Sequence, residues 1–419
     1  MAAKSMWHFS LKPTKSLFPA DILVVLIAAT LPWSTSLPAI FLILWLAALA
    51  PATDLEDFRG LMKRPACLLP VGFFVLAAIG TLWSSVPWGT RLYSVGPVAK
   101  FLVVPLLIYH FQRSSRGPWV FLAFFLSCTC LMIYSWIVAF EPRLALKPNA
   151  EYGVPLKNYI DQSQAFALCT IGVLYAIVQS FRDRQTLKTV LLVAAALAFL
   201  ANMAFIVVSR TALVTLPLMM AAFAALHLSR RGLLIAACAI AVLIAAAWTT
   251  SPGLRTRTAT IMSQYQEYAT SNEPTSVGLR LEFWRKSLQF WAEAPLIGQG
   301  TGSVRSLFAA SAAGQTGASA EVIANPHNQT LYTAVQWGAL GVIILYGMWL
   351  SHLLLFRGTT LAHWIGLLVV VQNFLTSMFN SHLFDFVPGW IYVLGVGVAG
   401  GMVLSSDKAP RSLPAESRS

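Results

Sequence analysis

The chain has 419 residues, 57% of them hydrophobic and only 11% charged, where soluble domains carry about a quarter charged. A mean hydropathy of +0.68 excludes a water-soluble globular enzyme, and apolar runs far longer than ~10-residue alternating strands exclude an outer-membrane barrel. The net charge of +13 fits basic inner loops facing anionic lipid better than nucleic acid, so no nucleic-acid partner is expected.

Residues 1–16 are polar and basic. An apolar helix follows from about Leu17 to Trp33, read as an uncleaved first span because no small-residue cleavage site closes it. Further apolar runs begin near Pro38, Cys67, Val98, Pro118, Gln162, Lys188, Thr211, Gly232, His327, Leu361 and Val387. The expected fold is an all-α polytopic membrane protein with about twelve transmembrane helices. Nine helices fall in residues 1–250 and three in 327–405, separated by one large helical loop, 251–326, and followed by a short tail, 406–419. The five cysteines all lie in apolar runs without metal-ligand spacing and read as small buried hydrophobes.

With the N-terminus inside, seventeen of the 29 Lys and Arg fall in inner segments and six in short outer ones, Lys100 among the latter. The other six lie in 251–326, which is long enough to be exempt from the positive-inside rule. Both termini are therefore expected inside and the long loop outside.

The long loop has helical patterning of its own. Residues 256–270 place Ile261, Tyr265 and Tyr268 on one face. From Ser276 to Glu293 a stripe of Leu281, Trp284, Leu288 and Trp291 predicts an amphipathic helix. The tryptophans suit packing on the membrane core or seating at the interface before any substrate contact. Pro295 ends the helix, and Gly298, Gly300 and Gly302 follow in a turn-rich segment. No strand or βαβ unit surrounds these glycines, so they are not a dinucleotide loop.

Five polar positions stand out for chemistry. His327 follows Asn325, which can cap a helix, and Pro326, which suits the first helical position. His327 would then lie in the first turn of a helix, where the dipole favours a neutral ring able to take a proton. The competing reading is an interfacial His bonded to a loop carbonyl. Arg210 interrupts the apolar stretch VVSRTALVTLPL, where charge is expensive; it is either functional or snorkels to lipid phosphate. Arg280 lies one turn before Trp284, and together the two arginines could grip a pyrophosphate. Asp385 in NSHLFDFVPGW sits at the last outer turn, where it either orients a His or a cation or is a solvated helix-end carboxylate. Asp161 has similar status and can cap the following helix. No paired acidic cluster occurs in an outer loop, so neither a metal nor another cofactor is expected.

The segment GLRLEFWRKSLQFWAEAPLIGQGTGS…NPHNQTLYTAVQWGALG resembles the O-antigen ligase/polymerase superfamily. The pattern is an Arg before a Trp-bearing helix, a Pro-hydrophobic-Gly-x-Gly turn, His-Asn, a Leu and a helix with Gly-x-x-Gly. Here those are Arg280, Trp284, Pro295, Gly298, Gly300, His327, Asn328, Leu331, Gly338 and Gly341. SRTAL at Ser209–Leu213 resembles the family's Ser-Arg-small motif. Two positions depart from it: Asp161-Gln-Ser-Gln164 stands where Asp-Pro-Asn is frequent, and Gln336 where an acidic residue is frequent.

The resemblance implies a glycosyltransferase that moves a glycan from undecaprenyl pyrophosphate to lipid A–core oligosaccharide. It implies a multi-pass protein of a bacterial inner membrane, with its site on the periplasmic side and both termini cytoplasmic. His327 would be the general base, Arg210 and Arg280 would stabilise the leaving pyrophosphate, and Asn328, Asp385 and Trp284 would contact substrate. The two arginines would take the role usually given to a metal, and attack opposite the leaving group implies inversion at the anomeric carbon. The expected state is a monomer among membrane lipids. Polymerases and protein O-oligosaccharyltransferases of the same superfamily are the alternative, the single large late loop favouring a ligase. A flippase is the competing class, disfavoured by scarce charge within the spans and the lack of a visible repeat.

Overall fold

The computed structural model describes residues 17–207 and 209–406, with side chains described only in part between 210 and 257. The basic N-terminal segment and the tail beyond 406 lie outside the described residues. All described secondary structure is helical. The first half comprises α1 (Phe18–Thr30), α2 (Ser36–Leu49), α3 (Leu55–Met62), α4 (Pro65–Ile79), α5 (Trp88–Ala99), α6 (Val103–Phe111), α7 (Gly117–Phe140), α8 (Tyr159–Arg182) and α9 (Thr186–Phe205). The second comprises α10 (Arg210–His227), α11 (Arg230–Thr250), α12 (Pro252–Ser271), α13 (Ser276–Glu293), α14 (Val304–Ala312), α15 (Gln329–Leu355), α16 (Leu361–Thr376) and α17 (Phe386–Ser406).

Every predicted apolar run falls on a helix. Among the described residues six helices are long and apolar enough to cross a membrane: the joined run of α5 and α6, then α7, α8, α9, α15 and α17. A seventh is reached if α2 and α3, bent by 112°, form one broken span. Shorter apolar helices include α1, α4 and α16. Twelve crossings thus go beyond what length and composition carry.

The core organises around α17, which is buried almost along its whole length against α6 and α16. Small residues make that packing close. A Cβ at Gly397 would meet Leu107 at 2.5 Å, and one at Gly401 would meet Phe111 at 2.6 Å. Around this centre α1 packs on α2 and α7, α8 on α9, and α4 on α15. Cys67, Cys128 and Cys169 are buried as expected, but Cys130 and Cys238 are exposed on helix surfaces.

Lys100 is not an outer-loop charge. It sits in the turn joining α5 to α6, buried, and its Nζ donates to the carbonyls of Phe384 at 3.2 Å and Asp385 at 2.6 Å. This bond ties the turn before α17 to the α5–α6 run.

Candidate active site

The predicted turn and the predicted Gly-x-x-Gly helix prove to be two halves of one joint. Gly338 breaks α15 with φ 60° and ψ −155°, a region open essentially to glycine alone. In an unbroken helix the carbonyls of Val335 and Gln336 would accept from the N–H groups of Ala339 and Leu340. Here all four turn to the segment after Pro295. Gln299 N–H donates to Val335 O at 2.8 Å and Gly300 N–H to Gln336 O at 2.9 Å. Ala339 N–H donates to Pro295 O at 2.8 Å and Leu340 N–H to Leu296 O at 3.2 Å. Thr301 Oγ1 donates to Ala77 O at 2.6 Å and accepts from Trp337 Nε1 at 2.8 Å, pinning the joint to α4. Gln336 accepts from Gly302 N–H at 2.8 Å, a task an acidic side chain at that position could also perform.

This joint fixes where α15 begins. The cap of α15 is Asn328, whose Oδ1 accepts from Leu331 N–H at 3.0 Å, and not Asn325 as the sequence suggested. His327 therefore lies just outside the helix, in the left-handed region at φ 54°. For a non-glycine residue that conformation costs about 1–3 kcal/mol and persists only where the surroundings impose it. Asn325 supplies the constraint instead of a cap: its Oδ1 accepts from His327 N–H at 2.9 Å and from Ser381 Oγ at 2.7 Å.

The His327 ring is half-buried and lies against Phe283 of α13, with centroids 6.1 Å apart. Its Nδ1 meets Asn380 Oδ1 at 2.9 Å. Asn380 Nδ2 donates to Asp385 Oδ2 at 3.0 Å, and His382 Nδ1 meets the same carboxylate oxygen at 3.0 Å. His382 is buried and its Nε2 faces Gln164 Nε2 of α8 at 2.8 Å. Burial is the main force holding the His327 pKa below its usual 6.5. The charges of Arg280 and His382 push the same way, while the Asn380 bond and Asp385 oppose them.

Helix α13 matches its predicted bounds, with Thr275 as its cap. Its covered face differs from the predicted stripe. Phe283, Phe290, Glu282 and Lys286 are buried, whereas Leu288 is 49% exposed. The covered face meets Phe308 of α14 and Val335 of α15. Trp284 packs at the edge of that cluster, which suits the packing reading of this residue.

Glu282 holds the loop together. It accepts from Arg285 Nη2 at 2.6 Å, Tyr268 Oη at 2.9 Å and Ser319 Oγ at 3.1 Å, joining α12, α13 and the chain before His327. The Arg285 bond is the largest influence holding its carboxyl down at about 2. A carboxyl with depressed affinity for protons stabilises the fold above its ordinary value near 4.5 and loses that contribution as pH falls toward 2. The thermal unfolding midpoint should therefore fall as pH drops across that window. Glu282→Gln should lower the midpoint at neutral pH and flatten the dependence; an unchanged pH response would remove Glu282 as its cause.

Of the predicted residues, the fold brings Arg280 and Asp385 within electrostatic reach of His327. Asp385 does not touch His327; Asn380 stands between them. Asn328 uses its amide oxygen on the α15 cap and donates from its amide nitrogen to Met378 O, 3.2 Å away. Asp161 does not cap α8; Asn158 does, at 2.8 Å, leaving Asp161 within electrostatic reach of Asp385 and His382. Arg210 opens α10 as a backbone position, and its side chain lies outside the described residues. The sequence reading missed Asn380, His382, Gln164 and Lys100. NSHLFD held a signal, since four polar side chains fall within six residues of an apolar stretch.

Inward from Gln164 along α8, Leu168, Cys169 and Gly172 line an apolar cavity of about 280 Å³ bounded also by α1, α7, α16 and α17. Among the described residues no group of three His, Cys, Asp or Glu is placed to hold a metal ion.

Residues 194–346 match a family model described as O-antigen ligase. The matched segment includes Arg210, Arg280, His327 and the Gly338 joint, and stops before Asn380, His382 and Asp385. No curated protein matches the chain.

Proposed function

The chain carries an O-antigen ligase domain and belongs to the O-antigen ligase/polymerase superfamily, and on that premise we propose that it transfers a glycan from undecaprenyl pyrophosphate to lipid A–core oligosaccharide. The observation that supports this reading best is a half-buried imidazole in a constrained backbone conformation, engaged at one ring nitrogen and within electrostatic reach of Arg280. The acceptor hydroxyl oxygen forms the new bond to the anomeric carbon while the bond to pyrophosphate breaks. Its proton goes to Nε2 of His327, and the negative charge leaving with the pyrophosphate is met by Arg280 and Arg210. Displacement from the opposite face inverts the anomeric carbon. The apolar cavity beside α8 suits part of a polyprenyl tail. In this reading the protein crosses a bacterial inner membrane twelve times, with 251–326 periplasmic and both termini cytoplasmic.

The test is transfer by the purified full chain in vesicles, from a defined lipid-linked glycan to lipid A–core, with EDTA present. Transfer with inverted linkage is expected. Lengthening of the lipid-linked glycan with untouched lipid A–core would make the protein a polymerase instead, and rescue by added magnesium would end the metal-free reading. In the same assay Arg280→Ala should raise the donor KM at least about tenfold, with Arg280→Lys recovering only part, since it keeps charge but loses the forked donors. Normal donor use by Arg280→Ala would remove the pyrophosphate role.

A further inference from the structure

The proton on the His327 ring can be located from the hydrogen bonds around it. A backbone N–H can only donate, so the end of Asn325 that faces His327 N–H at 2.9 Å is its oxygen. The other end, Nδ2, faces Asn380 at 3.2 Å and donates, so Asn380 presents its oxygen there. The opposite end of Asn380 faces the Asp385 carboxylate at 3.0 Å, which accepts, so that end is the nitrogen. Two separate constraints thus agree on one orientation of the Asn380 amide. His327 Nδ1 meets the same Asn380 oxygen at 2.9 Å, and an acceptor is satisfied only by a donor. Nδ1 therefore carries the proton and Nε2 the lone pair. An unconstrained imidazole side chain prefers the reverse.

We infer that Asn380 is a positioning residue for the transfer reaction: its side-chain carbonyl holds His327 in the Nδ1–H form with Nε2 presented as acceptor, and its amide couples that ring to the Asp385 carboxylate. The inference rests on the reading of His327 as the base. The supporting frame is built from three other elements. Lys100 pins the carbonyls of Phe384 and Asp385 from the α5–α6 run, Ser381 holds Asn325, and Gln164 of α8 braces His382, which shares Asp385 Oδ2 with Asn380. The charged and titratable groups facing His327 are Arg280 from α13 and Asp385 and His382 from the turn before α17. Lys100 and Asp161 act at one remove, through Asp385.

Two readouts test this on the full chain. In protein labelled with nitrogen-15 at its seven histidines, the His327 signals are assigned by their loss in His327→Gln. The wild type should show the Nδ1–H pattern, and Asn380→Ala should lose it. A wild-type Nε2–H pattern, or an unaltered tautomer in Asn380→Ala, overturns the inference whatever the activity. In the transfer assay Asn380→Ala should lower kcat at least about tenfold with the donor KM within about twofold. Asn380→Asp, which keeps an oxygen acceptor for Nδ1–H but loses the donor to Asp385, should recover part of that loss. Asp385→Asn should move the acid limb of the pH–rate profile to lower pH, because a charge favouring the imidazolium is gone. Asp recovery no better than Ala, together with an unmoved acid limb, would reduce Asn380 to a fold-holding residue. Normal turnover by His327→Gln would overturn the base assignment instead, and the tautomer measurement would still decide what Asn380 does to the ring.

Discussion

His327→Gln should lower turnover by about 10²–10⁴, as far as His327→Ala does, with donor binding retained. Glutamine keeps a polar contact but cannot take the acceptor proton. Arg280 and the apolar cavity remain in both variants, so the loss should appear in kcat. The wild-type pH–rate profile should fall on the acid side below the ordinary imidazole value of 6.5, because burial first, then Arg280 and His382, hold the ring's proton affinity down. The sign follows from the role: a base works when neutral, so activity is full above its pKa and lost as pH drops through it. A Gln variant with near-normal turnover would leave the ring only orienting the acceptor. Asp385 is then a poor substitute, since its Oδ2 already accepts from Asn380 and faces His382.

Gly338→Ala should cost the folded protein outright. The backbone there is in a glycine-only region, about 1–3 kcal/mol for any other residue. An added Cβ would also lie 2.3 Å from Leu296 C, 2.4 Å from Leu296 O and 2.5 Å from Ile297 N. None of these is a flexible side-chain end, so the clash adds to the strain, and the sum reaches the exceptional range above ~4 kcal/mol. Gly72→Ala is the control. It lies inside α4 with nothing within 4 Å of its Cβ, and alanine there should be neutral or stabilising by up to about 1 kcal/mol. Detergent-solubilised yield and thermal midpoint measure both; equal midpoints for the two variants would show that the joint is slack.

Local signals were legible and pairings across the chain were not. The bounds of α13 follow from its cap, its apolar period and Pro295. Its covered face does not follow, because Phe283/Phe290 and Trp284/Trp291 repeat at the same spacing one residue apart. What decides between them is Phe308 and Val335, brought in from other elements. Asn325 and Asn328 were equally good caps by type, three residues apart. Asn328 takes the role because Asn325 is turned back to the His327 N–H and Ser381. Gly298, Gly300 and Gly338 were visible as a pattern, yet only the fold reveals that they serve one contact. Asn380 shows the limit most clearly. Nothing in its neighbourhood marks an asparagine as partner to a histidine 53 positions earlier.

The Gly338 break also sets an order of biogenesis. The chain leaves the ribosome with residues 295–302 ahead of residues 329–355, and those earlier residues satisfy two carbonyls and two N–H groups that α15 leaves open. On the proposed topology, with the break in hydrocarbon and 251–326 periplasmic, an open backbone group costs several kcal/mol, so α15 cannot settle in its broken form before that segment has crossed. Export of the loop thus precedes final seating of the helix, and a translocation stall within 251–326 would leave an insertion intermediate with α15 unbroken and His327 without its socket.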